Sequence, residues 1–584
     1  MKRNMIFKNA LVAMAVLAAG AITTSCSDWD DHYDAETAVV GSAKSTIWEN
    51  LSSNANLSQF ADLMKKAGYD AVLNTTQTYT VWAPLNGTFD YDVLASVGNE
   101  KLLKEFVQNH IARNNYPASG TVEEIVSMLN EKVFTFEGAG SYSMGGISVA
   151  QPNVASNNGI IHTLNGKLDF RSNIFESLEA GPFAIDSISE YIHGYDVLRL
   201  NEEKSIQGPV VDGQITYLDS VFDDYNPLCP NYAWIDREDS NYTMIVPTNE
   251  AWKKAVQTIA PLYNYVDGLI FVESPSSTSG VSQNVEANLP NGAAYWRDSM
   301  VYHNIMSSLF FNNNLFDNTV LNTIESGGKP GNDSLVNNAG RIFYTEDANA
   351  LFEGTTVIRK SNGNFVVTDD SLRMHPWMVW NPIINIECEH SLFQATSKDG
   401  TLNTNYITSG TQNPDVPGEV SNKGYIEMRA SSNSSSPEVN FYLPNIRSTT
   451  YVIYGVFVPA NITNIYETNI RPNNVRVQLG YNNANGTVHN PATLGTFSND
   501  PTKVDTVCFG EFTFPVCYYG TEYYPFLRIR SAVSSGDAAR LDRNWRMDRI
   551  FLVPKDLDEY MKAHPDYKYT YKTTYAGGTV VIIG

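Results

Sequence analysis

Hydrophobic positions in residues 44–170 follow a helical spacing in some segments and a strand spacing in others. Apolar side chains three and four positions apart in residues 58–67 predict an amphipathic helix, and alternation in residues 78–83 predicts a strand. Thr46-x-x-Glu49 and Thr121-x-x-Glu124 have the spacing of capping boxes, which predicts two further helix starts. We therefore expect this part of the chain to form a mixed α+β domain.

The same mixture returns in residues 171–388 and then disappears. Ser274 to Gly292 is rich in Ser, Asn and Pro, which is the composition of an exposed inserted loop. Residues 389–556 instead contain short alternating segments between Asn, Gly and Pro turns, which predicts a β-sandwich. Residues 557–584 are predicted to add an edge strand or to form a C-terminal tail.

Residues 1–25 have the pattern of an export signal. A basic start precedes the apolar run from Leu11 to Ile22, which is too short to span a bilayer because a spanning helix needs about 20 residues. The segment leading to Cys26 resembles a bacterial lipoprotein signal, which implies that Cys26 is lipidated and becomes the new N-terminus. The alternative is an ordinary signal peptide beside an accidental cysteine.

An acidic tether, residues 26–43, follows this signal. It opens with Ser27, Asp28, Asp30 and Asp31 around Trp29. This run is similar to the export tag that some Gram-negative, glycan-degrading bacteria place after the lipidated cysteine. The resemblance implies an outer-membrane lipoprotein that faces the extracellular side, and a solvated acidic linker is the alternative.

Two motifs in residues 44–170 resemble those of fasciclin domains. Residues 79–86, Tyr-Thr-Val-Trp-Ala-Pro-Leu-Asn, are similar to the first signature motif of the family, and residues 158–166 are similar to the second. Asn109-His110 matches the Tyr-His dipeptide between the two motifs. Leu85 stands where the family usually has a helix-capping Thr, so we expect Asn86 to cap the following helix.

A looser copy of the same motifs lies in residues 171–388. Residues 241–252 resemble the first motif and keep its capping Thr as Thr248, which implies that Thr248 caps the following helix. Tyr302-His303 matches the central dipeptide, and residues 361–368 resemble the second motif without its histidine. The final sandwich is similar in pattern to galactose-binding-type jelly rolls. Together these resemblances imply a multidomain protein with two α+β fasciclin-like domains followed by an all-β, jelly-roll-like sandwich.

The charge balance narrows the classes of partner. The 584 residues include 40 Lys and Arg against 63 Asp and Glu, which gives a formal net charge of −23. Nucleic acid binding is not expected, since it requires clustered basic side chains to neutralise phosphates. A basic patch for binding a membrane surface is not expected either, so membrane attachment depends on the lipid at Cys26.

Few residues suggest catalysis or metal binding. His110, His162 and His303 are predicted to be core histidines, and the fasciclin resemblance implies the same. Glu387-Cys388-Glu389-His390 alternates sides in a strand and lacks further ligands in sequence, so we interpret it as a linker strand. No Gly-x-Ser-x-Gly, phosphate-loop or His-Glu-x-x-His motif occurs. We therefore expect no cofactor, no metal and no enzymatic activity, although paired glycosidase carboxylates leave no sequence motif.

Two features of the sandwich have alternative interpretations. Cys508 and Cys517 are close enough in sequence for a disulfide, and reduced buried thiols are the alternative. Aromatic stacking and guanidinium chemistry suggest a ligand-binding set: Tyr523, Tyr524, Arg528, Arg530 and Trp545. The alternative is that the aromatic residues pack in the core and that the arginines balance nearby acids, Asp537, Asp542 and Asp548.

These patterns together suggest a non-catalytic cell-surface lipoprotein that binds a glycan, a peptide or a protein. The resemblance to surface lipoproteins implies a possible partnership with subunits of an outer-membrane nutrient importer. The alternative is a cell-adhesion or structural surface protein, since fasciclin domains are associated with adhesion. In the terminal sandwich, an aromatic-lined concave face would favour ligand capture, and a flat convex face would favour adhesion or docking.

Overall fold

The computed structural model describes residues 44–179, 181–200, 202, 206–211, 213–219, 222–266, 268–272, 283–287, 291–332, 334–380, 382–390, 394–485, 488–517, 525–567, 571–574 and 580–583. The chain divides into two compact units, Met1–Ser172 and Asn173–Gly584. Both contain helices and sheets, which confirms the prediction of a multidomain α+β protein. Each unit is described by itself.

The first unit is built on a seven-stranded sheet. Its fully buried strand Tyr79–Pro84 lies between Ile111–Arg113, which is antiparallel to it, and Gly159–Leu164, which is parallel to it. The remaining strands continue outward from Gly159–Leu164 in reverse chain order: Ile147–Ser156, Tyr142–Met144, Val133–Ala139 and Thr121–Ser127. The strand that carries the first motif therefore pairs directly with the strand that carries the second.

Asn158 and Gly159 fix this parallel pairing. Asn158 Oδ1 accepts a hydrogen bond from the Ile47 amide at 2.8 Å, and its Nδ2 donates to the carbonyl of Leu73 at 2.8 Å. Gly159 has φ +145°, and a Cβ at this position would lie 1.8 Å from the carbonyl oxygen of Tyr79. Only glycine fits here, because any side chain would displace the partner strand.

Local capping predictions for the first unit have mixed outcomes. Helix Ile47–Ser53 begins with the predicted capping box of Thr46 and Glu49. Helix Tyr91–Ser96 is capped by Asp90, whereas Asn86 accepts from the Gln59 amide at 3.0 Å in an earlier helix, so the prediction for Asn86 is wrong.

The second capping box, Thr121-x-x-Glu124, is also a wrong prediction, since these residues lie in strand Thr121–Ser127. Its β-branched residues pair with Val133–Ala139 over the whole strand, and this pairing outweighs the local helix signal. The other helical segments of the unit are Ser58–Lys66, Asn99–Leu102, the π-helical Leu103–Val107, and the 3-10 turns Ala55–Leu57, Val72–Asn74 and Gln108–His110.

The second unit begins with a smaller sheet of the same design. Strand Tyr242–Val246 lies between the antiparallel Phe310–Asn312 and the parallel Gly363–Val367, and Thr356–Lys360 forms the other edge. Asn362 Oδ1 accepts from the Ile174 amide at 2.9 Å, as Asn158 does from Ile47. A Cβ on Gly363 would lie 1.9 Å from the carbonyl oxygen of Tyr242. The same arrangement of an asparagine followed by a glycine therefore appears in both units.

Helices surround this second sheet. Helix Asn249–Ile259 is capped as predicted, since Thr248 Oγ1 accepts from the Ala251 amide at 3.3 Å. Most of the predicted insertion, Ser274 to Gly292, lies outside the described residues. The remaining helical segments are Glu176–Leu178, Asp186–His193, Leu228–Tyr232, Ala260–Leu262, Gly292–Ser308, Phe316–Thr323, Thr345–Phe352 and Pro376–Val379. Its described residues also form four two-stranded pairs: Val197–Leu200 with Phe222–Tyr225, Ile206–Val211 with Gln214–Asp219, Gly268–Val272 with Gln283–Ala287, and Ser334–Val336 with Ile342–Tyr344.

The rest of the second unit is dominated by two larger sheets. Six strands form one sheet: Ile384–Glu387, Gly400–Tyr406, Gly424–Ala430, Thr450–Phe457, Asp505–Thr513 and Trp545–Pro554. Five strands form the other: Gln394–Lys398, Glu438–Tyr442, Asn474–Asn482, Val488–Ser498 and Phe526–Ser531. Both sheets contribute to one buried hydrophobic core, as the predicted alternation requires.

The sheet pairing adds residues to the start of this region. Strand Ile384–Glu387 pairs with Trp545–Pro554, so the β-rich region begins before the predicted boundary at residue 389. The 3-10 turn Ser421–Lys423 precedes one of its strands. Helix Lys555–Ala563 follows the last strand, and the pair Tyr571–Thr574 and Val580–Ile583 ends the described chain. Within the described residues, no helix is both long enough and apolar enough to cross a membrane.

Candidate functional site

Two adjoining cavities open in the second unit, beside the sheet that contains Tyr242–Val246. They have volumes of about 590 and 730 Å³ and share Tyr232 and His303 in their walls. We call them together the tyrosine cleft. The larger is lined by Tyr191, Tyr195, Leu228, Asn231, Tyr232, Asn291, Tyr295, Trp296, Ser299, Met300 and His303. The smaller is lined by Tyr232, Tyr242, His303, Asn304, Ser307, Asn312, Leu315, Phe316, Val336, Asn337, Asn338, Ala339, Gly340 and Arg341.

Helix Gly292–Ser308 supplies one wall of the tyrosine cleft. Tyr295, Trp296, Ser299 and His303 recur at spacings of three and four residues, which puts them on one helical face. Two of the tyrosines are exposed, Tyr295 by 54% and Tyr195 by 43% of their surface. Their rings are therefore accessible to a ligand as well as being part of the wall.

Phenol hydroxyl groups connect the two halves of the cleft. The Tyr232 hydroxyl shares a 2.6 Å hydrogen bond with His303 Nδ1, and Tyr191 interacts with the hydroxyls of Tyr195 and Tyr232. Burial raises the pKa of Tyr232 to about 12 and also raises the pKa of Tyr191. Partial burial and the charge of Arg341 lower the pKa of His303. The tyrosines are therefore neutral at pH 7 and can donate or accept hydrogen bonds.

The smaller half of the cleft is shaped by the turn between Ser334–Val336 and Ile342–Tyr344. The Arg341 amide donates to Asn337 Oδ1 at 2.9 Å, and the Asn337 amide donates to the carbonyl of Arg341 at 3.1 Å. Asn338 Nδ2 donates to the carbonyl of Tyr232 at 2.8 Å, which ties the turn to the opposite wall. These bonds hold the wall that contains Arg341 in a fixed position.

The predicted ligand-binding set in the β-rich region is not assembled as a site in the described structure. Arg528 and Arg530 converge on the buried carboxylate of Glu438, with Nε at 3.5 Å from Oε1 and at 3.7 Å from Oε2. Lys398 Nζ lies 3.2 Å from the same carboxylate. Arg528 and Arg530 therefore balance an acid, as the alternative interpretation required, although this acid is Glu438. The expected Asp537 pairs instead with Arg540.

Trp545 cannot stack on a ligand in this structure. Its side chain is fully buried, and its Nε1 donates to the carbonyl of Pro437 at 3.3 Å. The prediction of a binding role for Trp545 is wrong, because the facing sheet covers its strand. Tyr523 and Tyr524 lie outside the described residues, as do Cys26, Ser27, Asp28, Asp30 and Asp31.

The Glu387-to-His390 motif joins a cluster of carboxylates in the β-rich region. Ser421 donates through its amide to Asp548 at 3.0 Å and through its hydroxyl to Glu387 at 3.0 Å. Burial and the charges of Glu387 and Glu389 raise the pKa of Asp548 to about 7. Among the described residues, no group of three or more His, Cys, Asp or Glu side chains is arranged to hold a metal ion.

Cys508 and Cys517 are free thiols, the first exposed and the second buried. Cys517 lies beside Arg447, whose Nη1 is 3.9 Å from the sulfur. Burial raises the pKa of the Cys517 thiol, so it is protonated at neutral pH. Both thiols are therefore reduced in the structure, but only Cys517 is buried as the alternative required.

Comparison with known proteins identifies the first unit. Residues 55–169 match the sequence profile of the fasciclin domain. This segment of the chain is a fasciclin domain. It contains the Tyr79–Pro84 and Gly159–Leu164 strands on which the predicted resemblance rested. No curated protein matches the sequence.

Three solved structures show weaker likenesses. A FAS1 domain pair from the insect cell adhesion molecule fasciclin I is 14% identical, with 56% of this chain and 99% of that chain covered and a TM-score of 0.19. Arthrobacter globiformis T6 isomalto-dextranase complexed with panose is 15% identical, with coverage of 30% and 23% and a TM-score of 0.18. A Paenibacillus xanthan lyase is 14% identical, with coverage of 33% and 14% and a TM-score of 0.17. These scores are too low to carry an argument about function.

Two histidines of the fasciclin domain are core residues, as predicted. The Leu168 amide donates to His110 Nε2 at 2.9 Å, so the proton lies on Nδ1 and is donated to the carbonyl of Phe106 at 2.7 Å. His162 Nε2 similarly donates to the carbonyl of Tyr116 at 2.9 Å. Both side chains are fully buried, and burial lowers the pKa of each to about 4.

His303 differs from these two because it is exposed and lines both cavities of the tyrosine cleft. The prediction of a core position is wrong for His303. The helical spacing of Tyr295, Trp296, Ser299 and His303 was visible in the sequence. The other lining residues come from five other segments of the chain, between Tyr191 and Arg341, so sequence spacing could not reveal the cleft.

Proposed function

We propose that this chain is a non-catalytic cell-surface lipoprotein that binds a glycan, a peptide or a protein in the tyrosine cleft. The observation that carries the proposal is the concave surface on which exposed Tyr195 and Tyr295 adjoin a polar compartment. Aromatic rings combined with a few fixed polar groups are characteristic of ligand sites. Fasciclin domains are associated with surface proteins, which agrees with a role outside the cell.

The proposal also covers the attachment and organisation of the chain. Cys26 would carry the lipid, and the acidic run that begins at Ser27 would direct the protein to the outer face of the outer membrane. The repeated Asn158-Gly159 and Asn362-Gly363 arrangements support a second fasciclin-like domain. The two large sheets support a jelly-roll-like sandwich that follows it. Subunits of an outer-membrane importer are the proposed protein partners.

Ligand binding is tested by titrating the soluble protein, starting at Ser27, with defined oligosaccharides and peptides in a calorimeter. We expect Tyr295→Ala to weaken binding about tenfold, because the exposed ring provides a stacking surface. Tyr466→Ala is the matched control, since Tyr466 is 84% exposed and does not line the cleft. Equal losses in the two variants, or no binding of any ligand by the wild type, would refute the role of the cleft.

Anchoring and partnership need separate experiments. Cys26→Ala should release the protein from membranes, and a variant that stays membrane-bound would refute the lipid anchor. Affinity capture from membranes with the tagged mature protein should recover importer subunits. Capture without any importer subunit would refute the accessory role but would leave ligand binding untouched.

Cell adhesion is the second candidate, and the fasciclin match over residues 55–169 favours it. An adhesion protein would bind cells through a protein surface and would not require the tyrosine cleft. Cells that display the wild type and the Tyr295→Ala variant should then adhere equally well. Loss of adhesion on deletion of residues 44–170, with unchanged glycan binding, would support this alternative.

A further inference from the structure

The five-stranded sheet of the β-rich region has one face that points away from the hydrophobic core. Alternate residues of its strands, such as Val439, Ile529 and Val477, are fully buried in that core. The residues between them therefore extend to the other side of the sheet, because successive side chains of a strand point to opposite faces. We call this other side the outer face.

A row of charged residues crosses the outer face. Four neighbouring strands contribute directly opposed residues to it, in the order Lys398, Glu438, Arg530 and Arg476. Directly opposed side chains of antiparallel strands lie on the same face. Arg528, on the same strand as Arg530, adds a further cation. The outer face thus has four cations and one carboxylate in these positions, although the formal net charge of the chain is −23.

The single carboxylate of Glu438 cannot neutralise all of these cations. Lys398, Arg528 and Arg530 share it, and within the part of the chain that the structure describes no carboxylate pairs with Arg476. Arg476 instead lies directly opposite Arg530. Like charges in directly opposed positions destabilise a sheet, so this pair does not serve stability. An anion bound between the two guanidinium groups would turn the repulsion into attraction.

Three of the four cations are accessible to a ligand. The side chains of Lys398 and Arg530 are 49% and 42% exposed, and Arg476 is also exposed. The Arg528 side chain is only 15% exposed, and its Nε donates to Asn440 Oδ1 at 2.9 Å. Arg528 therefore stabilises the sheet, and the other three remain open to an anion from solvent.

We propose that the outer face binds an acidic polysaccharide through its sulfate or carboxylate groups, with Arg476 and Arg530 as the main contacts and Lys398 as a further charge. The inference goes beyond the tyrosine cleft, with which the outer face shares no residue. A guanidinium forms two parallel hydrogen bonds with an oxyanion of this kind. Beside the row, Gln478 and Thr493 offer an amide and a hydroxyl to the hydroxyls of a sugar.

The side chains of the outer face favour a polysaccharide over a protein or a nucleic acid. The centre of a protein interface is apolar, and the bases of a single-stranded nucleic acid stack on aromatic side chains. Among the described residues of this sheet, no large apolar side chain is exposed. An acidic polysaccharide requires no such surface, because oxyanions and hydroxyls supply its contacts.

The test compares dextran sulfate with unsulfated dextran of the same length. Calorimetric titration of the soluble protein that starts at Ser27 should show that dextran sulfate binds at least about tenfold more tightly at low salt. The difference should shrink as salt is raised, because ions screen the exposed charges. Polygalacturonate, titrated in the same way, separates the two anions: binding as tight as that of dextran sulfate assigns carboxylates as well as sulfates, and no binding assigns sulfates alone.

Substitutions then locate the binding. Arg476→Gln and Arg530→Gln should each weaken the binding of dextran sulfate about tenfold, and Arg476→Lys should retain part of the affinity. Arg113→Gln, at an exposed position of the first unit, removes the same charge and is the control. Because Arg476→Gln also removes a like-charge pair, this variant should melt at a temperature no lower than that of the wild type. Weaker binding by an equally stable protein cannot result from misfolding.

Each outcome supports or overturns a defined statement. Equal binding of dextran sulfate and dextran by the wild type overturns the inference and leaves the proposed role of the tyrosine cleft intact. Unchanged affinity in Arg476→Gln and Arg530→Gln, or an equal loss in Arg113→Gln, overturns the location. Binding of polyglutamate or duplex DNA as tight as that of dextran sulfate overturns the assignment to a polysaccharide. Tyr295→Ala should bind dextran sulfate as the wild type does, and a loss there would assign the anion to the cleft instead.

Discussion

Acidification should destabilise the fasciclin domain through its two buried histidines. His110 and His162 have pKa values of about 4 in the folded protein, against 6.5 for an unperturbed histidine. Because the folded pKa is the lower one, this stability is fully present above pH 6.5 and is lost as the pH falls toward 4. Protonation would also place a second N–H of His110 against the amide of Leu168, which already points at Nε2.

The size of the effect follows from proton linkage. At pH 7.5 both histidines are neutral in the folded and in the unfolded protein, so the free energy of unfolding does not depend on their protonation there. At pH 5 each should remove about 2 kcal/mol from the free energy of unfolding, and the pair should remove about 4 kcal/mol. A loss of this size is a large part of the stability of a typical domain.

Hydrogen exchange measured by mass spectrometry on the full chain can isolate this domain. Strands Tyr79–Pro84 and Gly159–Leu164 should lose about 4 kcal/mol of protection between pH 7.5 and pH 5, after correction for intrinsic exchange rates. The double variant His110→Gln with His162→Gln keeps a donor and an acceptor at each site but does not titrate, so it should lose little. His564→Gln, at an exposed position in the second unit, is the control. If the double variant shows the same loss as the wild type, the histidines are not the cause.

Three further predictions concern stability, each with a matched control, and thermal or denaturant unfolding of the full chain measures all of them. Gly159→Ala should lower the free energy of unfolding by about 3 kcal/mol or more, because the new Cβ would lie 1.8 Å from the Tyr79 carbonyl oxygen. Gly87→Ala, with open space around it, should lower it by only about 1 kcal/mol. Equal losses would contradict the steric argument. Thr248→Ala should lower the free energy of unfolding by about 1 kcal/mol, and Thr248→Ser should lower it far less, because only the alanine removes the hydroxyl that caps helix Asn249–Ile259. A serine variant as unstable as the alanine variant would refute the capping role. Glu438→Gln should cost about 2 kcal/mol, since it removes the buried anion shared by Lys398, Arg528 and Arg530. Glu511→Gln, in the exposed pair with Lys555, should cost far less. The opposite order would show that Glu438 does not hold these cations together.

Local elements were predictable where neighbouring residues determine the structure. The capping box of Thr46 and Glu49 and the cap at Thr248 depend on residues three positions apart, and both form as expected. The failures have a common reason. Asn86 was expected to cap the helix that follows it, but it contacts Gln59 in an earlier helix. The competing partner was distant in sequence, and sequence spacing contains no information about it.

Candidate site residues were harder to predict for the same reason. Trp545 is of a residue type that often binds ligands, yet its side chain is completely buried. Arg528 and Arg530 lie on one strand, but their partner Glu438 comes from the neighbouring strand of the same sheet. Side-chain type predicts what a residue is able to bind, whereas exposure and partners depend on which strands become neighbours.

The sequence by itself determined the alternation of helices and strands, the two fasciclin-like motifs and the acidic charge. These features follow from local periodicity, from capping spacings and from composition, all of which act over a few residues. Only the tertiary structure decided that Tyr191, Tyr232, Tyr295 and Arg341 would share one cleft. These residues are far apart in sequence, so no local pattern can bring them together. They meet because whole helices and strands pack against one another to bury their apolar faces.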